Sequence, residues 1–314
     1  MRIVKRVIFC ILTLCVIVSC TKKPNSVLPN LKDNFDFAHL FTDDDGNLIK
    51  FSAPYKRIIP LYSAHTENLF ELGAGDSVIG GHKTCNYPAQ ADALPKYDYT
   101  GDPEYIISAA PDLVLIRPFI RKSRPDYIAE IEKAGIQVVS LYPETFDDFD
   151  LYIRNLAMLT DSKEAAEYKL HEFHAELEKI SSNERSNKRY IKNVFFESTE
   201  NEYRTAAAGS LPAIAIDIAG GINIAAYAKP LRGSSIAPFG DEKLFLQADK
   251  IDLYIVQDGA MNRTKNLEAL QRRRGFMSIK AVREANVLFI NEKIISSPTF
   301  RYIQGVQMIA NALR

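Results

Sequence analysis

The sequence predicts an α/β fold, and three observations carry this prediction. Short apolar stretches, typical of buried parallel strands, alternate with amphipathic helical patterns in both halves of the chain. Between the halves, residues 161–182 form a helical pattern without glycine or proline. With 314 residues the chain is longer than most single domains, so two lobes or one large domain is expected.

The central helix is predicted from its cap and its apolar stripe. Asp161 is a good N-cap residue, and Glu164 follows three positions later, as in a capping box. The apolar residues recur at intervals of three and four, which puts them on one face. They are Ala166, Leu170, Phe173, Leu177 and Ile180. At roughly 30 Å long, this helix could be a strut between two lobes, and the alternative is an ordinary amphipathic helix of one domain.

The first residues predict a lipoprotein signal. Three basic residues precede residues 7–18, an apolar run that is too short to span a membrane. Residues 17–20 resemble a bacterial lipobox, which implies cleavage before Cys20 and a lipid on its thiol. We therefore expect a signal peptide at residues 1–19 and a tether at residues 20–34. A plain secretion signal is the alternative.

Charge and cysteine content exclude several kinds of partner and site. Without residues 1–19, the chain keeps 36 of its 39 Lys+Arg residues against 39 Asp+Glu, a net charge near −3. Binding a polyanion needs a basic surface, so no nucleic-acid partner is expected. Cys10 and Cys15 leave with the signal and Cys20 would be lipidated. Cys85 then has no partner for a disulfide or a cysteine zinc site.

The first half of the chain predicts strands and helices in alternation. An Asp-Gly turn at residues 43–46, taken as solvated, joins the first two strands. Pro103 is expected at the first position of a helix, and Gly135 caps another. Strands are predicted at residues 35–41, 47–51, 56–61, 77–80, 111–116 and 137–141. Helices are predicted at residues 62–73, 103–109, 124–134 and 145–159.

The second half repeats the α/β alternation beyond residue 183. Strands are predicted at residues 190–197, 251–256 and 287–290. Helices are predicted at residues 211–219, which end at a Gly-Gly pair, and at residues 242–248 and 298–313.

Several stretches carry a resemblance to a known family. In the first half they are residues 62–69, 72–73 and 78–80, and Glu104 followed by Pro-Asp-Leu-Val at residues 111–114. In the second half they are residues 208–210, 219–223 and the Ser-Pro pair at 297–298. In this order, from about residue 56 to the C terminus, the chain resembles the solute-binding proteins of ABC importers that take up iron-siderophores, haem and cobalamin.

The resemblance implies two doubly wound α/β lobes that are joined by one long backbone helix, with the ligand cleft between them. The N-terminal lobe would be residues 35–144 and the C-terminal lobe residues 183–314. Residues 145–182 would connect them, with the backbone helix at 161–182. The protein is then expected to be an extracytoplasmic monomer, anchored to a membrane through Cys20, that is not an enzyme and has no resident cofactor. It would capture an iron chelate of the siderophore type and deliver it to a membrane permease, and cobalamin or haem is the alternative cargo.

Loops that follow strand ends are expected to form the wall of the cleft. Arginine matches the carboxylates or catecholates of an anionic chelate, and tyrosine can stack on a chelate or ligate it. For each arginine the alternative is a solvated surface charge. The candidates are Tyr62, His65, His82, Arg117, Arg121 and Lys122 in the first lobe and Glu200, Tyr203, Arg204 and Arg232 in the second.

Two glutamates are candidates for docking to the permease. In the family, one exposed glutamate on each lobe docks onto arginines of the permease, and Glu104 and Glu242 match these positions. The second match departs from the pattern, because Glu104 lies eight residues before Asp112 whereas Glu242 lies ten before Asp252. The alternative role for both is to cap a helix N-terminus, where the helix dipole favours a carboxylate.

Other motifs do not support a metal site or an enzyme. His171 and His174 are one residue short of the His-Glu-x-x-His spacing of a zinc protease, so they are expected on the helix surface. Neither Gly209-Ser210 nor residues 233–235 fit the G-x-S-x-G elbow of a hydrolase. Carboxylate pairs cannot be identified from sequence, so a lipoprotein enzyme stays the alternative outside the family.

Overall fold

The structure is a computed structural model that describes residues 39–187, 191–230 and 235–314. The predicted signal peptide, the tether, Cys20 and Arg232 lie outside the described residues. Within the described residues, no helix is both long and apolar enough to cross a membrane.

The first lobe is built around a parallel sheet in the order β3-β6-β7. Its strands are β1 (His39–Thr42), β2 (Leu48–Phe51), β3 (Ile58–Pro60), β4 (Gly81–His82), β5 (Lys96–Tyr97), β6 (Leu113–Ile116) and β7 (Gln137–Ser140). Its helices are α1 (Ser63–Glu71), α2 (Ala89–Asp92), α3 (Glu104–Ser108), α4 (Pro118–Ser123) and α5 (Pro125–Lys133). β1 and β2 form an antiparallel hairpin, and β4 and β5 form a second parallel pair.

Most elements of the first lobe confirm the sequence prediction. The apolar run of β6 is the central strand and is fully buried, as expected for a strand covered on both faces. Gly135 follows α5 with a φ of +83°, the left-handed conformation that favours glycine. The strand predicted at residues 77–80 is wrong, because only Val78 pairs with Ile58 before the chain turns into β4.

Two helices connect the lobes, α6 (Phe149–Thr160) and α7 (Lys163–Asn187). The predicted capping box is wrong, because Asp161 adopts a left-handed conformation (φ 56°) and ends α6 instead of starting α7. α6 also begins later than predicted, because Thr145 bonds to the Asp148 carboxylate in a turn before the helix. The apolar stripe of α7 is buried throughout, as predicted.

The second lobe is built around a mixed sheet in the order β11-β9-β8-β12-β13, with β10 paired to β8. Its strands are β8 (Asn193–Thr199), β9 (Arg204–Ala206), β10 (Ile222–Asn223), β11 (Ile236–Ala237), β12 (Leu253–Asp258) and β13 (Val287–Asn291). Its helices are α8 (Leu211–Ile218), α9 (Asp241–Leu246), α10 (Leu267–Gln271), α11 (Lys280–Arg283), α12 (Glu292–Ile295) and α13 (Tyr302–Ala312). β8, β12 and β13 are parallel, and β9 is antiparallel to β8.

α7 is packed into a core that both lobes share. It contacts α6 along the chain and α8 and α13 of the second lobe. One continuous cluster of buried apolar side chains runs from β6 and β7 through α6 and α7 to β8, β12 and α13. The two-lobed α/β class is therefore confirmed, whereas the exact division of the chain at residues 144 and 182 stays a prediction.

Candidate functional site

A cleft of about 350 Å³ lies between the two lobes. Its first-lobe wall comes from residues at the carboxyl ends of parallel strands, where side chains of neighbouring strands meet at one edge. They include Tyr62 after β3, His82 at the end of β4, Arg117 after β6 and Tyr142 after β7. The second lobe adds Ser198, Pro212, Ser235, Ile236, Gln257, Met261, Glu292, Lys293, Ser296 and Ser297.

Among the described residues, Arg117 is the arginine that lines this cleft. Its guanidinium carbon lies 4.9 Å from the centre of the Tyr62 ring and 5.3 Å from that of Phe119. No carboxylate of the described residues forms an ion pair with it. A guanidinium that is stacked on aromatic rings keeps its planar edge available, and that edge suits a carboxylate or phosphate of a bound ligand.

Half-buried tyrosines supply the aromatic surface of the cleft. Burial raises the pKa of Tyr62, although the nearby Arg117 charge opposes this, and burial also raises the pKa of Tyr142. Both side chains therefore carry a neutral phenol near pH 7, which can stack on a ligand or donate a hydrogen bond. Tyr99 lies beside them in the same wall.

Tyr142 is positioned by the turn of the β1–β2 hairpin. The Asp44 carboxylate accepts a hydrogen bond from the Tyr142 backbone N–H, and Asp43 accepts one from Ser140 N at 3.1 Å. The prediction of a solvated turn is wrong at Asp43, which is buried, whereas Asp44 and Gly46 are exposed as predicted. The Asp43 carboxylate can be buried because backbone N–H groups of the turn and of β7 replace its hydrogen bonds to water.

His82 lines the cleft next to Tyr99. Its Nδ1 lies 2.7 Å from Thr84 Oγ1, and its ring stacks on Tyr99 with centroids 5.6 Å apart. Burial lowers the pKa of His82 to about 4, so its imidazole is neutral near pH 7.

The second-lobe wall carries polar groups that sequence reasoning missed. Gln257 at the end of β12 accepts a hydrogen bond from Ser296 Oγ at 2.6 Å. Lys293 in α12 reaches across to the first lobe, where it donates to Thr84 O and to Asn86 Oδ1. The position of Gln257 directly after a buried apolar strand was an available signal. The contacts of Lys293 had none, because they join residues more than 200 positions apart in the chain.

Six of the residues predicted for the cleft wall do not line this cleft, and three of them belong to the first lobe. His65 is fully buried, with Nδ1 bonded to Tyr152 Oη at 2.8 Å and Nε2 to Ile116 O at 3.1 Å. Arg121 pairs instead with Asp45 and Glu132, each at 2.9 Å, because it lies one turn of α4 beyond Arg117. Lys122 is exposed outside the cleft.

In the second lobe, Arg204 and Tyr203 also contact other residues instead of lining the cleft. Arg204 pairs with Glu202 at 2.9 Å, and Tyr203 packs on Phe276 with ring centroids 5.6 Å apart. Glu200 pairs with Arg273 at 2.7 Å. Glu200 and Tyr203 lie in the turn that follows β8, as predicted, whereas Arg204 is the first residue of β9. Local partners keep all three side chains away from the cleft wall.

Glu104 and Glu242 occupy equivalent places in the two lobes. Each is exposed at the start of a short helix that precedes a central strand, α3 before β6 and α9 before β12. The two-residue difference in spacing is taken up by a 3-10 turn at Ala248–Lys250.

Asp112 and Asp252 reinforce the match between the lobes. The Asp112 carboxylate accepts from the backbone N–H of Arg57 at 2.9 Å, and that of Asp252 accepts from Asn193 N at 2.8 Å. In each lobe the aspartate before the central strand therefore ties down the start of a neighbouring strand.

The glutamates do not cap these helices. The Glu104 N–H donates to Asp102 Oδ1 at 2.9 Å, and the Glu242 N–H donates to Asp241 Oδ1 at 2.8 Å. The capping bond of α3 therefore comes from Asp102, whereas Asp241 is itself the first residue of α9. Neither glutamate carboxylate has a hydrogen bond or ion pair with a described residue.

Comparisons with known proteins agree with this geometry. Residues 58–294 match the model of a family described as periplasmic binding protein. The vitamin B12-binding protein of Vibrio cholerae is 24% identical over 269 residues, which cover 83% of this chain and 90% of that protein. The ABC transporter substrate-binding lipoprotein YvrC of Bacillus subtilis is 24% identical over 263 residues, covering 82% and 80%.

A solved structure shows the same fold. A possible iron-binding, periplasmic solute-binding protein from Staphylococcus epidermidis superposes with a TM-score of 0.70 at 22% identity, covering 83% of this chain and 99% of that one. Since the family match spans most of the chain, this protein belongs to the periplasmic binding protein family, whose members are the substrate-binding proteins of ABC importers.

Proposed function

We propose that this protein is an extracytoplasmic lipoprotein that captures a metal chelate bearing an anionic group and delivers it to the permease of an ABC importer. The observation that carries the proposal is Arg117, which faces the interlobe cleft over Tyr62 without a carboxylate partner among the described residues. A buried or half-buried guanidinium in this state favours an anionic ligand group that can bond to its planar edge.

The cleft chemistry suits a bulky chelate with flat or aromatic faces. Tyr62, Tyr99 and Tyr142 offer ring faces, and serine and threonine hydroxyls around them can bond to peripheral polar groups. An iron chelate of the siderophore type carries carboxylates or catecholates, and cobalamin carries a phosphodiester. Arg117 suits each of these anions.

Cobalamin is the second candidate cargo within this proposal, because a specific observation favours it. The Vibrio cholerae relative, which covers most of this chain, is named for vitamin B12 binding. Cobalamin therefore belongs in the first set of ligands to be tested, beside haem and iron chelates.

The membrane anchor is proposed from residues 17–20 and Cys20. Lipidation at Cys20 and a tether at residues 20–34 would hold the folded lobes at a membrane surface, near the permease. Mass spectrometry of the protein extracted from membranes tests this, since a Cys20→Ala variant should lose the lipid mass and enter the soluble fraction.

The test of the ligand is a thermal unfolding series of the purified chain with cobalamin, haemin, a ferric hydroxamate, a ferric catecholate and ferric citrate. A chelate at a hundred times its Kd should stabilise the folded state by about 2.7 kcal/mol, which is a measurable rise in Tm. Stabilisation by at least one chelate is expected. No rise with any of them, together with turnover of an ester or glycoside, would instead favour the lipoprotein enzyme.

A further inference from the structure

A second cavity, of about 300 Å³, lies on the first lobe next to the interlobe cleft. Its walls come from the turn of the β1–β2 hairpin, the start of α4, the segment after β7 and one face of α6. We call this cavity the side pocket. Its lining includes Asp44, Tyr142, Glu144, Asp148, Leu151 and Asn155.

The side pocket adjoins the cleft at Tyr142, whose side chain lines both. A narrow cavity of about 40 Å³ lies between them and borders on each. It shares Tyr142, Pro143 and Glu144 with the side pocket and Pro212, Ser235 and Ser296 with the cleft. A ligand held in the cleft could therefore extend a substituent past Tyr142 into the side pocket.

The side pocket carries negative charge that no cation of the described residues neutralises. Asp44, Glu144 and Asp148 line it, and none of the three forms an ion pair with a described residue. Burial raises the pKa of Asp44, the hydrogen bond from the Tyr142 N–H lowers it, and the Asp148 charge is among those that raise it. A positive charge placed among these carboxylates would be attracted by all three.

Asn155 distinguishes the side pocket from an ordinary acidic surface. Its side chain lines the pocket and is only 8% exposed, yet the amide has no hydrogen-bond partner among the described residues. Buried amides in proteins nearly always have such partners, so the partner of Asn155 must come from the cavity itself. The Asn155 carbonyl oxygen can accept a hydrogen bond from an N–H group that enters the pocket.

α6 brings an apolar side chain next to these polar groups. Asp148 directly precedes the helix, and Leu151 and Asn155 follow at intervals of three and four residues, so all three lie on one face. Leu151 is exposed, and the rings of Pro118 and Pro143 line the same cavity. This surface suits the alkyl stem of a ligand whose charged end reaches the carboxylates.

We propose that the side pocket is a second subsite for the captured chelate and binds a positively charged nitrogen group, an ammonium or a guanidinium, on an alkyl stem. The inference rests on the proposed function and narrows its ligand class. The cargo would carry an anionic group for Arg117 in the cleft and a cationic substituent for the side pocket. A free alkylamine has the same chemistry as that substituent, so the experiment has to separate the two sources.

The experiment compares pairs of chelates that differ only in one positive charge. Ferrioxamine B, which ends in a pentylammonium group, is paired with its N-acetyl derivative. Cobalamin and haemin are each coupled to 1,5-diaminopentane, and the free amine is compared with its acetylated form. Isothermal titration of the purified chain should show that the ammonium member of at least one pair binds at least about 10-fold more tightly than its acetylated partner.

Two variants test whether the side pocket causes this preference. Asn155→Leu removes the buried amide, and Glu144→Gln combined with Asp148→Asn removes two of the carboxylates. Each should reduce the preference for the ammonium form to about 2-fold or less while leaving affinity for the acetylated form unchanged. Asn155→Leu should also melt no lower than the wild type, because it deletes a buried polar group that has no partner.

Asp147→Asn is the matched control. Asp147 is exposed and adjacent to Asp148, but it does not line the side pocket. The control removes the same charge from the same segment and should keep the full preference for the ammonium form.

A competition arm identifies the source of the cation. Free pentylammonium should weaken binding of the ammonium-bearing chelate and leave binding of its acetylated partner unchanged. If pentylammonium bound without weakening the ammonium-bearing chelate, the pocket would take a separate small amine, and its role in cargo capture would be overturned.

The other results separate this inference from the proposed function. Equal affinity for both members of every pair that binds, or a preference that persists in both variants, would overturn the subsite and leave the proposed function standing. Failure of all three pairs to bind would also overturn the subsite. The proposed function would then depend on stabilisation by the ferric catecholate or ferric citrate of the thermal series.

Discussion

Arg301 and Glu67 form a two-point ion pair that joins the two lobes. Arg301 Nε lies 2.8 Å from Glu67 Oε2, and Arg301 Nη2 lies 2.7 Å from Glu67 Oε1. Glu67, in α1, is 2% exposed, and Arg301, directly before α13, also stacks on Tyr87 at 3.9 Å. The next residue of α1, Asn68, donates to Pro298 O at 2.9 Å. The lobes therefore meet through a buried polar contact on the side of α1 and α13.

Removing one partner of the Arg301–Glu67 pair should strongly destabilise the folded protein. Arg301→Leu leaves the Glu67 carboxylate buried without its counter-charge, and such losses lower the free energy of unfolding by about 3–5 kcal/mol. Burial raises the pKa of Glu67 and the Arg301 contact lowers it, so the pKa of Glu67 should rise further in the variant. Urea unfolding at pH 7 measures the loss.

The control for this prediction is an exposed pair. Arg204→Leu breaks the contact with Glu202 and should cost at most about 1 kcal/mol, because both side chains are largely solvated. Adding Glu67→Gln to Arg301→Leu should recover part of the loss. If the two single-arginine variants were equally stable, the interlobe pair would have no special role.

The lobes should move little on ligand binding. α7 is anchored in an apolar core shared by both lobes, and shear or hinge motion would have to break that packing together with the Arg301–Glu67 pair. Small-angle scattering curves recorded with and without a bound chelate should nearly superimpose. A large fall in the radius of gyration on binding would contradict a rigid connection.

Arg117 and Arg204, which sequence reasoning treated alike, should behave differently. Arg117→Ala removes the cleft cation and should weaken an anionic chelate by about 2 kcal/mol or more if the lost contact is desolvated. Arg204→Ala should leave affinity unchanged, since Glu202 holds that side chain outside the cleft wall. Isothermal titration of both variants with the chelate found in the thermal screen decides this. Equal affinities for wild type and Arg117→Ala would remove Arg117 from the site.

Charge reversal at Glu104 and Glu242 should reduce transport without reducing stability. Because neither glutamate carboxylate bonds to a described residue, Glu104→Lys and Glu242→Lys should leave melting and ligand affinity almost intact. If these carboxylates dock onto basic groups of the permease, the double variant should abolish uptake of labelled ligand by cells, since like charges then meet.

Asp102→Ala provides the matched control for docking. It should lower stability by about 1 kcal/mol through loss of the cap, and uptake should fall only as far as folding does. Normal uptake by the double lysine variant would remove the docking role. Complete loss with Glu104→Lys and none with Glu242→Lys would show that another residue of the second lobe docks.

His65 should make stability depend on pH. Burial lowers its pKa from 6.5 to about 3, so the unfolded chain binds a proton at pH values where the folded chain does not. Its contribution is present above pH 6.5 and is lost as the pH falls towards 3. Between pH 7 and pH 5, the wild type should lose about 2 kcal/mol more stability than His65→Gln. Urea unfolding at both pH values measures the difference, and identical losses would contradict a buried neutral imidazole.

The fold class and the main elements could be predicted from local sequence patterns. The stripe of α7, the buried run of β6 and the glycine after α5 all depend on local periodicity and backbone preference, which are written in neighbouring residues. The family resemblance could likewise be identified from short motifs, because each motif consists of neighbouring residues. The local prediction was wrong at the start of α7. Asp161 matches an N-cap pattern in the sequence, but in the structure it is the C-cap residue of α6.

Which side chains reach the cleft depends on contacts between residues that are far apart in the chain. Arg117 and Arg121 lie only four residues apart. Arg121 nevertheless pairs with Asp45, which is 76 residues away in the chain. His65 and His82 were both predicted to line the cleft, but Tyr152 and the Ile116 carbonyl bond to the two ring nitrogens of the buried His65, whereas His82 lines the cleft. The physical reason is that a polar side chain takes its orientation from the partners that replace water around it. In this chain those partners come from distant strands and helices, which sequence patterns do not bring together.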